Sequence, residues 1–405
     1  MVSAVPVAIK RAKAIIPGYG SDGAPFGLLV PSSDVVAGIR PRRKTRVGSS
    51  RAPSASELPP SWLDTLLGFK SIATTHTTHA AAQAAISSGL DWLDASNELR
   101  KPSFNADIES MLTAAVRDVL QHHAASASNF SAARSIAGHI HISATSNVRT
   151  PYALLETRQA AGCHKPGLPI ITLLSGCSGL LFALQHARFL LGEAAAQRDD
   201  NAYVLITCSN DLLPFAHARG RCPSERSESI DDWLFQAIFG EGVGAIIVGH
   251  GHRGSEGWVI ADLDWQAVTD EWRVTMQSDR AGESMLIRAR EVGITFREHV
   301  PRAAVRGLGA LGLAGFSDLH RLCIHESNPN LVAHVAAKLD APDDRVHSLS
   351  PTVGTLAGVS AFSLLDEALN AFQKSDTARD SIVCALIGES GNSVVAGHVS
   401  LRHAS

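Results

Sequence analysis

The stretch Leu168-Pro169-Ile170-Ile171-Thr172-Leu173-Leu174-Ser175-Gly176-Cys177-Ser178-Gly179-Leu180-Leu181-Phe182-Ala183-Leu184 changes character at its centre. On its left is an apolar, β-rich run of strand length. On its right an apolar run continues through Gln185-His186-Ala187-Arg188-Phe189-Leu190-Leu191, long enough for a buried helix. A strand that turns through small residues into a helix is the basic step of an α/β fold. The turn places Cys177 where free backbone N–H groups and the positive end of a helix converge, and both favour thiolate over thiol. Gly176, Ser178 and Gly179 let a substrate carbonyl approach the backbone closely. The same residue also fits a buried structural cysteine, since free Cys is among the most buried residue types.

Outward from this unit the alternation repeats. Upstream, Ile136–Ile142 reads as a strand, and Ala80–Leu90 and Ile108–Leu120 have helical spacing. Downstream come strands at Tyr203–Cys208 and Ala245–Gly249, the latter entered through Phe239-Gly240-Glu241-Gly242-Val243-Gly244. Those glycines precede a strand, whereas a dinucleotide fingerprint follows one, so they read as a turn with left-handed or closely packed backbone. The pattern then restarts: strand Val259–Leu263, helix Phe296–Leu311, strand Leu322–Ile324, helices Asn330–Leu339 and Gly358–Ala371, and strands Ser381–Ile387 and Ser393–Val399. Two α/β halves packed face to face are expected, residues 1–255 with the cysteine and helical insertions, and residues 256–405. Residues 1–60 are rich in Pro, Ser and Arg, with a short apolar start and a basic run Arg40-Pro41-Arg42-Arg43-Lys44-Thr45-Arg46. That run is either a solvated surface or a contact for the phosphates of CoA or phosphopantetheine.

With 45% hydrophobic residues, 19% charged and a net charge of −3, the 405-residue chain is neither disordered nor built to hold nucleic acid. Six cysteines are scattered with no C-x-x-C pair, which points to reduced thiols. The N-terminus lacks a charged region followed by an apolar one, so no secretory signal is expected. The most apolar stretch, 168–191, is broken by Pro, Gly, Ser, Gln, His and Arg, so no membrane span is expected and the cytoplasm is the default.

A sulfur nucleophile needs a proton partner and a means of holding an oxyanion. His325 is the candidate: it ends the apolar strand and opens the polar turn Glu326-Ser327-Asn328-Pro329-Asn330, where functional residues of α/β folds gather. A lone histidine there also fits a structural group. Cys177 and His325 read as equivalent strand-to-helix junctions of the two halves. His139 and His141 share one strand face, His76 and His79 are three apart, and His250 and His252 flank a turn. None has the three or four ligands of a metal site, so no metal is expected.

Four motifs in order resemble the thiolase-fold condensing enzymes, specifically the β-ketoacyl-acyl-carrier-protein synthase III (KAS III) group. Ser175-Gly176-Cys177-Ser178-Gly179-Leu180 resembles its nucleophile turn, and Phe239-Gly240-Glu241-Gly242-Val243-Gly244-Ala245 its F-G-D-G-A-G-A turn. His325-Glu326-Ser327-Asn328 resembles H-Q-A-N. Gly354-Thr355-Leu356-Ala357-Gly358-Val359-Ser360, with Leu365-Asp366-Glu367-Ala368, resembles G-N-T-S-A-A-S ending in L-D-E-A. The resemblance implies a five-layered αβαβα fold of two similar halves. It implies Cys177, His325 and Thr355 as catalytic residues, with the backbones of Cys177 and Gly391 as oxyanion donors. Asn328, Arg40 and Arg43 are implied as substrate contacts. It implies no bound cofactor, acyl-CoA or a phosphopantetheinyl carrier protein as substrate and partner, and a homodimer or a heterodimer with a related subunit.

Three departures stand out. Thr355 occupies the place of the family's third catalytic residue, an Asn, and a hydroxyl on a shorter reach replaces an aimed N–H donor; losing one such donor costs on the order of 10²–10³ in rate. Glu326 replaces a Gln, either raising the pKa of His325 or facing solvent. The loop Gly388-Glu389-Ser390-Gly391-Asn392 has fewer glycines than the family's. Three functions compete: an acyl-transferring or condensing enzyme of specialised or fatty-acid-derived metabolism, a decarboxylative synthase using malonyl thioester, and a non-catalytic partner of a heterodimeric synthase.

Overall fold

A computed structural model describes residues 6–16, 29–31, 100–102, 108–126, 130–143, 150–197, 199, 201–210, 240–251, 257–269, 276–278, 285–287, 289–326, 329–372, 379–390 and 393–404. The strands that build its core are β1 (Val7–Ile15), β2 (Ile136–Ser143), β3 (Ile170–Leu174), β4 (Tyr203–Asn210), β5 (Gly242–His250), β6 (Trp258–Thr269), β7 (Arg321–Ile324), β8 (Ser381–Ser390) and β9 (Ser393–His403). The long helices are α1 (Ile108–Ser126), α2 (Thr150–Ala160), α3 (Gly179–Ala196), α4 (Ala289–Ala310), α5 (Pro329–Lys338) and α6 (Val359–Asn370). The helix expected at Ala80–Leu90 and the basic run at 40–46 lie outside the described residues.

The strands form one nine-stranded sheet in the order β7-β8-β9-β6-β1-β5-β4-β2-β3. Read from the middle outward, its two arms repeat one pattern. β1 pairs antiparallel with β5, β5 antiparallel with β4, β4 parallel with β2 and β2 parallel with β3. On the other side β6 pairs antiparallel with β9, β9 antiparallel with β8 and β8 parallel with β7. A parallel bridge between Leu322 and Val346 stands where a counterpart of β3 would lie. The arms meet where Ala8 and Ile9 of β1 pair with Val259 and Trp258 of β6. That N-terminal strand is not evident in the sequence, because Lys10, Arg11 and Lys13 interrupt its apolar alternation.

Three buried clusters define the layers. In the middle, Leu181, Leu184 and Leu191 of α3 and Phe362 and Leu365 of α6 pack between Ile140 and Val204 of one arm and Ile382 and Leu386 of the other. Met111 and Val119 of α1 and Leu154 of α2 cover the outer face of the first arm, against Leu205 and Ile247. Phe296 and Val300 of α4 and Val335 of α5 cover the second, against Val383 and Ala385. The architecture is therefore αβαβα, as the resemblance implies. Strands buried on both faces require near-continuous apolar runs, and Ile382-Val383-Cys384-Ala385 is such a run, sending alternate side chains to opposite layers. One glycine sets the spacing of the middle layer: a Cβ on Gly244 of β5 would lie 2.5 Å from the Phe362 Cβ, so α6 sits directly on that backbone.

Candidate active site

Cys177 lies in the turn between edge strand β3 and central helix α3. The Gly179 N–H donates to the Gly176 carbonyl (3.1 Å), closing the turn. Ser178, at the helix N-cap, does not cap with its side chain. Its hydroxyl and that of Ser175 instead donate across the molecule to the Glu389 carbonyl at the end of β8, at 2.9 and 3.2 Å. Beside them, a Cβ on Gly388 would lie 2.7 Å from the Cys177 Cβ and 2.6 Å from the Ser178 nitrogen. Only a bare backbone fits there, so Gly388 is a site residue that sequence reading passed over in favour of Gly391.

The electrostatics correct one expectation. Burial pushes the Cys177 thiol well above the ordinary range, and the Glu389 carboxylate and Cys208 add to that push; backbone hydrogen bonding pulls the other way without prevailing. Cys177 as a whole residue is half-buried.

His325 stands one residue past β7, where its N–H donates to the Ala385 carbonyl of β8 (2.9 Å). It is buried, with its ring tilted beside Phe296 at a centroid distance of 6.4 Å. Burial lowers its pKa to about 4, so the imidazole is neutral at pH 7. Its Nδ1 has no hydrogen-bond partner among the described residues. β8 is thus a common neighbour of both groups: Ala385 holds the histidine backbone and, three residues on, Gly388 packs against the cysteine.

Glu326 follows neither of the two courses set out for it. It is fully buried, and its Oε1 accepts hydrogen bonds from the Ser348 hydroxyl (2.6 Å) and from the N–H groups of Leu349 and Ser350 (2.5 and 3.0 Å). Burial raises its pKa against those donors and against nearby His347.

Thr355 is buried in the turn before α6, after Gly354, which has φ +72°. Its carbonyl accepts the Gly240 N–H (3.0 Å), and the Gly240 carbonyl accepts a hydrogen bond from the Asn210 amide (2.7 Å). Asn210 is a buried polar residue that the sequence does not single out, because it lies beyond the apolar run that ends at Cys208. The topology also corrects the supposed equivalence of Cys177 and His325. His325 follows β7, whose counterpart is β2. The counterpart of the Cys177 turn is the turn Gly354–Gly358 that opens α6, so Thr355 and Cys177 are the paired positions. Between β7 and that turn Val346 contributes only a bridge, where the first arm has the strand β3.

Asn328, Gly391, Arg40 and Arg43 lie outside the described residues. His139 and His141 share one face of β2, as expected; both hydrogen-bond the Thr207 hydroxyl at 2.9 Å, and burial keeps both neutral. No cluster of three or more His, Cys, Asp or Glu able to hold a metal occurs among the described residues.

With this geometry the chain can be set beside known proteins. No family model matches it. Over 210 residues it is 27% identical to β-ketoacyl-[acyl-carrier-protein] synthase III of Pseudomonas aeruginosa strain LESB58, a match covering 50% of this chain and 58% of the relative. The chain thus spans little more than half the length of the curated relatives it matches. Xanthomonas campestris OleA, solved with bound lauric acid and lauroyl-CoA, superposes with a TM-score of 0.68 at 13% identity, over 99% of this chain and 100% of that one. The 3-oxoacyl-(acyl carrier protein) synthase III, FabH, of Xanthomonas oryzae gives 0.66 at 14% identity, over 98% of each chain. The chain has the thiolase-type fold. In sequence it resembles KAS III, in agreement with the four motifs, and both solved neighbours are condensing enzymes of the same fold. Among the described residues, no helix of this thiolase-type chain is long and apolar enough to cross a membrane.

Proposed function

We propose that the chain is a KAS III-like acyltransferase that loads an acyl group from acyl-CoA or an acyl-carrier protein onto Cys177 and passes it to a second substrate. The observation that carries this reading is the clasp of β8 on the Cys177 turn, with the neutral His325 imidazole held by the same strand. In the first step His325 takes the thiol proton as the sulfur adds to the thioester carbonyl. The oxyanion is held by the backbone N–H groups of Cys177 and Gly391. Collapse breaks the old thioester bond, and the departing thiolate takes the proton back from His325. A carbanion, amine or hydroxyl of the second substrate then attacks acyl-Cys177, with His325 as acid/base and Thr355 as a lesser hydrogen-bond donor.

Asn328, Arg40 and Arg43 serve as contacts for the pantetheine arm and its phosphates. The two halves divide near residue 255, and the working unit is a homodimer. The dimer is supported by the edge strand β3 and by Leu174 and Phe189, 59% and 67% exposed beside it. Intact-mass analysis after mixing with acyl-CoA tests the reading. An acyl adduct is expected on the wild-type chain and not on Cys177→Ala; an adduct that persists in the variant overturns it.

A further inference from the structure

Among the polar groups that the proposed chemistry leaves unused, Glu326 is the least expected. A carboxylate with no exposure to solvent is costly unless donors converge on it. Three do, and all meet one oxygen: the Ser348 hydroxyl and the N–H groups of Leu349 and Ser350. The Ser348 hydroxyl also lies 3.2 Å from that of Ser350. These donors sit 22 to 24 residues along the chain from the carboxylate. They begin the segment that runs through the short helix Ser350–Val353 and Gly354 into Thr355. Glu326 is covalently next to His325, whose backbone is fixed on β8. One side chain therefore ties the histidine turn to the start of the threonine turn. The other end of that segment is fixed separately, through the Thr355 carbonyl and Gly240. The Cys177 turn is braced by a third, independent set of bonds, from Ser175 and Ser178 to the Glu389 carbonyl.

We propose that Glu326 is a positioning residue that fixes the placement of the His325 and Thr355 turns relative to each other by clasping Ser348, Leu349 and Ser350. The proposal rests on the acyl-transfer reading and concerns the rate of the chemical step, not the binding of the thioester. Any side chain with an acceptor oxygen in place of Oε1 keeps the clasp, and glutamine, the residue in the resembling H-Q-A-N motif, is one. Leucine has the bulk and no acceptor.

The test is quenched-flow intact-mass measurement of acyl-Cys177 formation from lauroyl-CoA as its concentration is varied. For Glu326→Leu the maximal rate of adduct formation is expected to fall about 10²-fold, with the half-saturating concentration unchanged, as for loss of an interaction that matters in the transition state alone. Glu326→Gln is expected to restore that rate to within about threefold of wild type. Should Glu326→Leu not fold, Ser348→Ala decides the matter: losing one of the three donors should lower the maximal rate about three- to tenfold at unchanged half-saturation. The proposal is overturned by a maximal rate equal to wild type in Ser348→Ala, by a change confined to half-saturation, or by failure of Glu326→Gln to restore the rate. The absence of any adduct on the wild-type chain would instead remove the acyl-transfer reading on which it stands.

Discussion

The turn that opens α3 and the turn that opens α6 occupy matching places in the two arms of the sheet, yet only one carries a sulfur. The first, Ser175–Ser178, is held by the end of β8, through the Glu389 carbonyl and bare Gly388. The second, Gly354–Gly358, is held by the end of β4 and the lead into β5, through Asn210 and Gly240. Each turn is bonded by the opposite arm: the first by the end of β8 itself, the second by Gly240, which the end of β4 holds through Asn210. The second turn spends its backbone freedom differently, with positive φ at Gly354 and at Ala357 (45°), a conformation costly for a residue with a Cβ. A duplicated scaffold thus presents two similar turns to one space, one armed with a thiol and the other supplying Thr355.

The sharpest way to break this arrangement is at the grip on the first turn. Gly388→Ala drives a Cβ into Cys177 and Ser178, and a nucleophile displaced by even an ångström loses on the order of 10²-fold in rate, so acyl-Cys177 formation by intact mass should fall at least that far. Gly244→Ala provides the contrast: its Cβ meets Phe362 and not Cys177 or Ser178. It should lower stability by about 1–3 kcal/mol in urea titrations and change the alkylation rate of Cys177 far less than Gly388→Ala does.

The buried imidazoles predict an acid limit. His325 and His141 each have folded pKa values of about 4, against an ordinary 6.5. Between those values the unfolded chain binds more protons than the folded one, so stability falls as pH falls. The contribution of these two histidines to unfolding free energy should be complete above pH 6.5 and decline toward pH 4, by up to about 3 kcal/mol for each. A His325→Asn variant should show a shallower decline, and an equal slope would contradict the assignment. On the second turn, Asn210→Ala removes the hydrogen bond to Gly240 and should cost about 1–2 kcal/mol in urea titrations.

The smallest change expected is electrostatic. Glu389→Gln removes a negative charge that disfavours the Cys177 thiolate, so the thiol pKa should fall and alkylation by iodoacetamide at pH 7 should quicken, by about tenfold at most. A rate unchanged by this substitution would show that burial alone governs the sulfur.

Much of this architecture was legible in the sequence because strands buried on both faces cannot hide their composition. Ser381–Ile387 and the step from Ile170 through Cys177 into α3 read directly. β1 did not, because its cationic side chains look like those of a surface segment. Asn210 and Glu326 were illegible for another reason. A buried polar group is explained by its partners, and the partners of Glu326 lie more than twenty residues away, on backbone N–H groups that no residue type advertises. The upward push on the Cys177 thiol is illegible for the same cause, since desolvation is a property of the assembled middle layer.

The seam at β1 has a consequence for how the chain is made. Val7–Ile15 is synthesised before its hydrogen-bonding neighbours, which are Val243–His250 on one side and Trp258 and Val259 on the other. During synthesis this segment must wait for these partners, which follow it by more than two hundred residues. Completion of the first arm and its joining to the second therefore fall within a few residues of each other in translation, and a nascent chain cut short of residue 242 lacks the strand on which β1 closes.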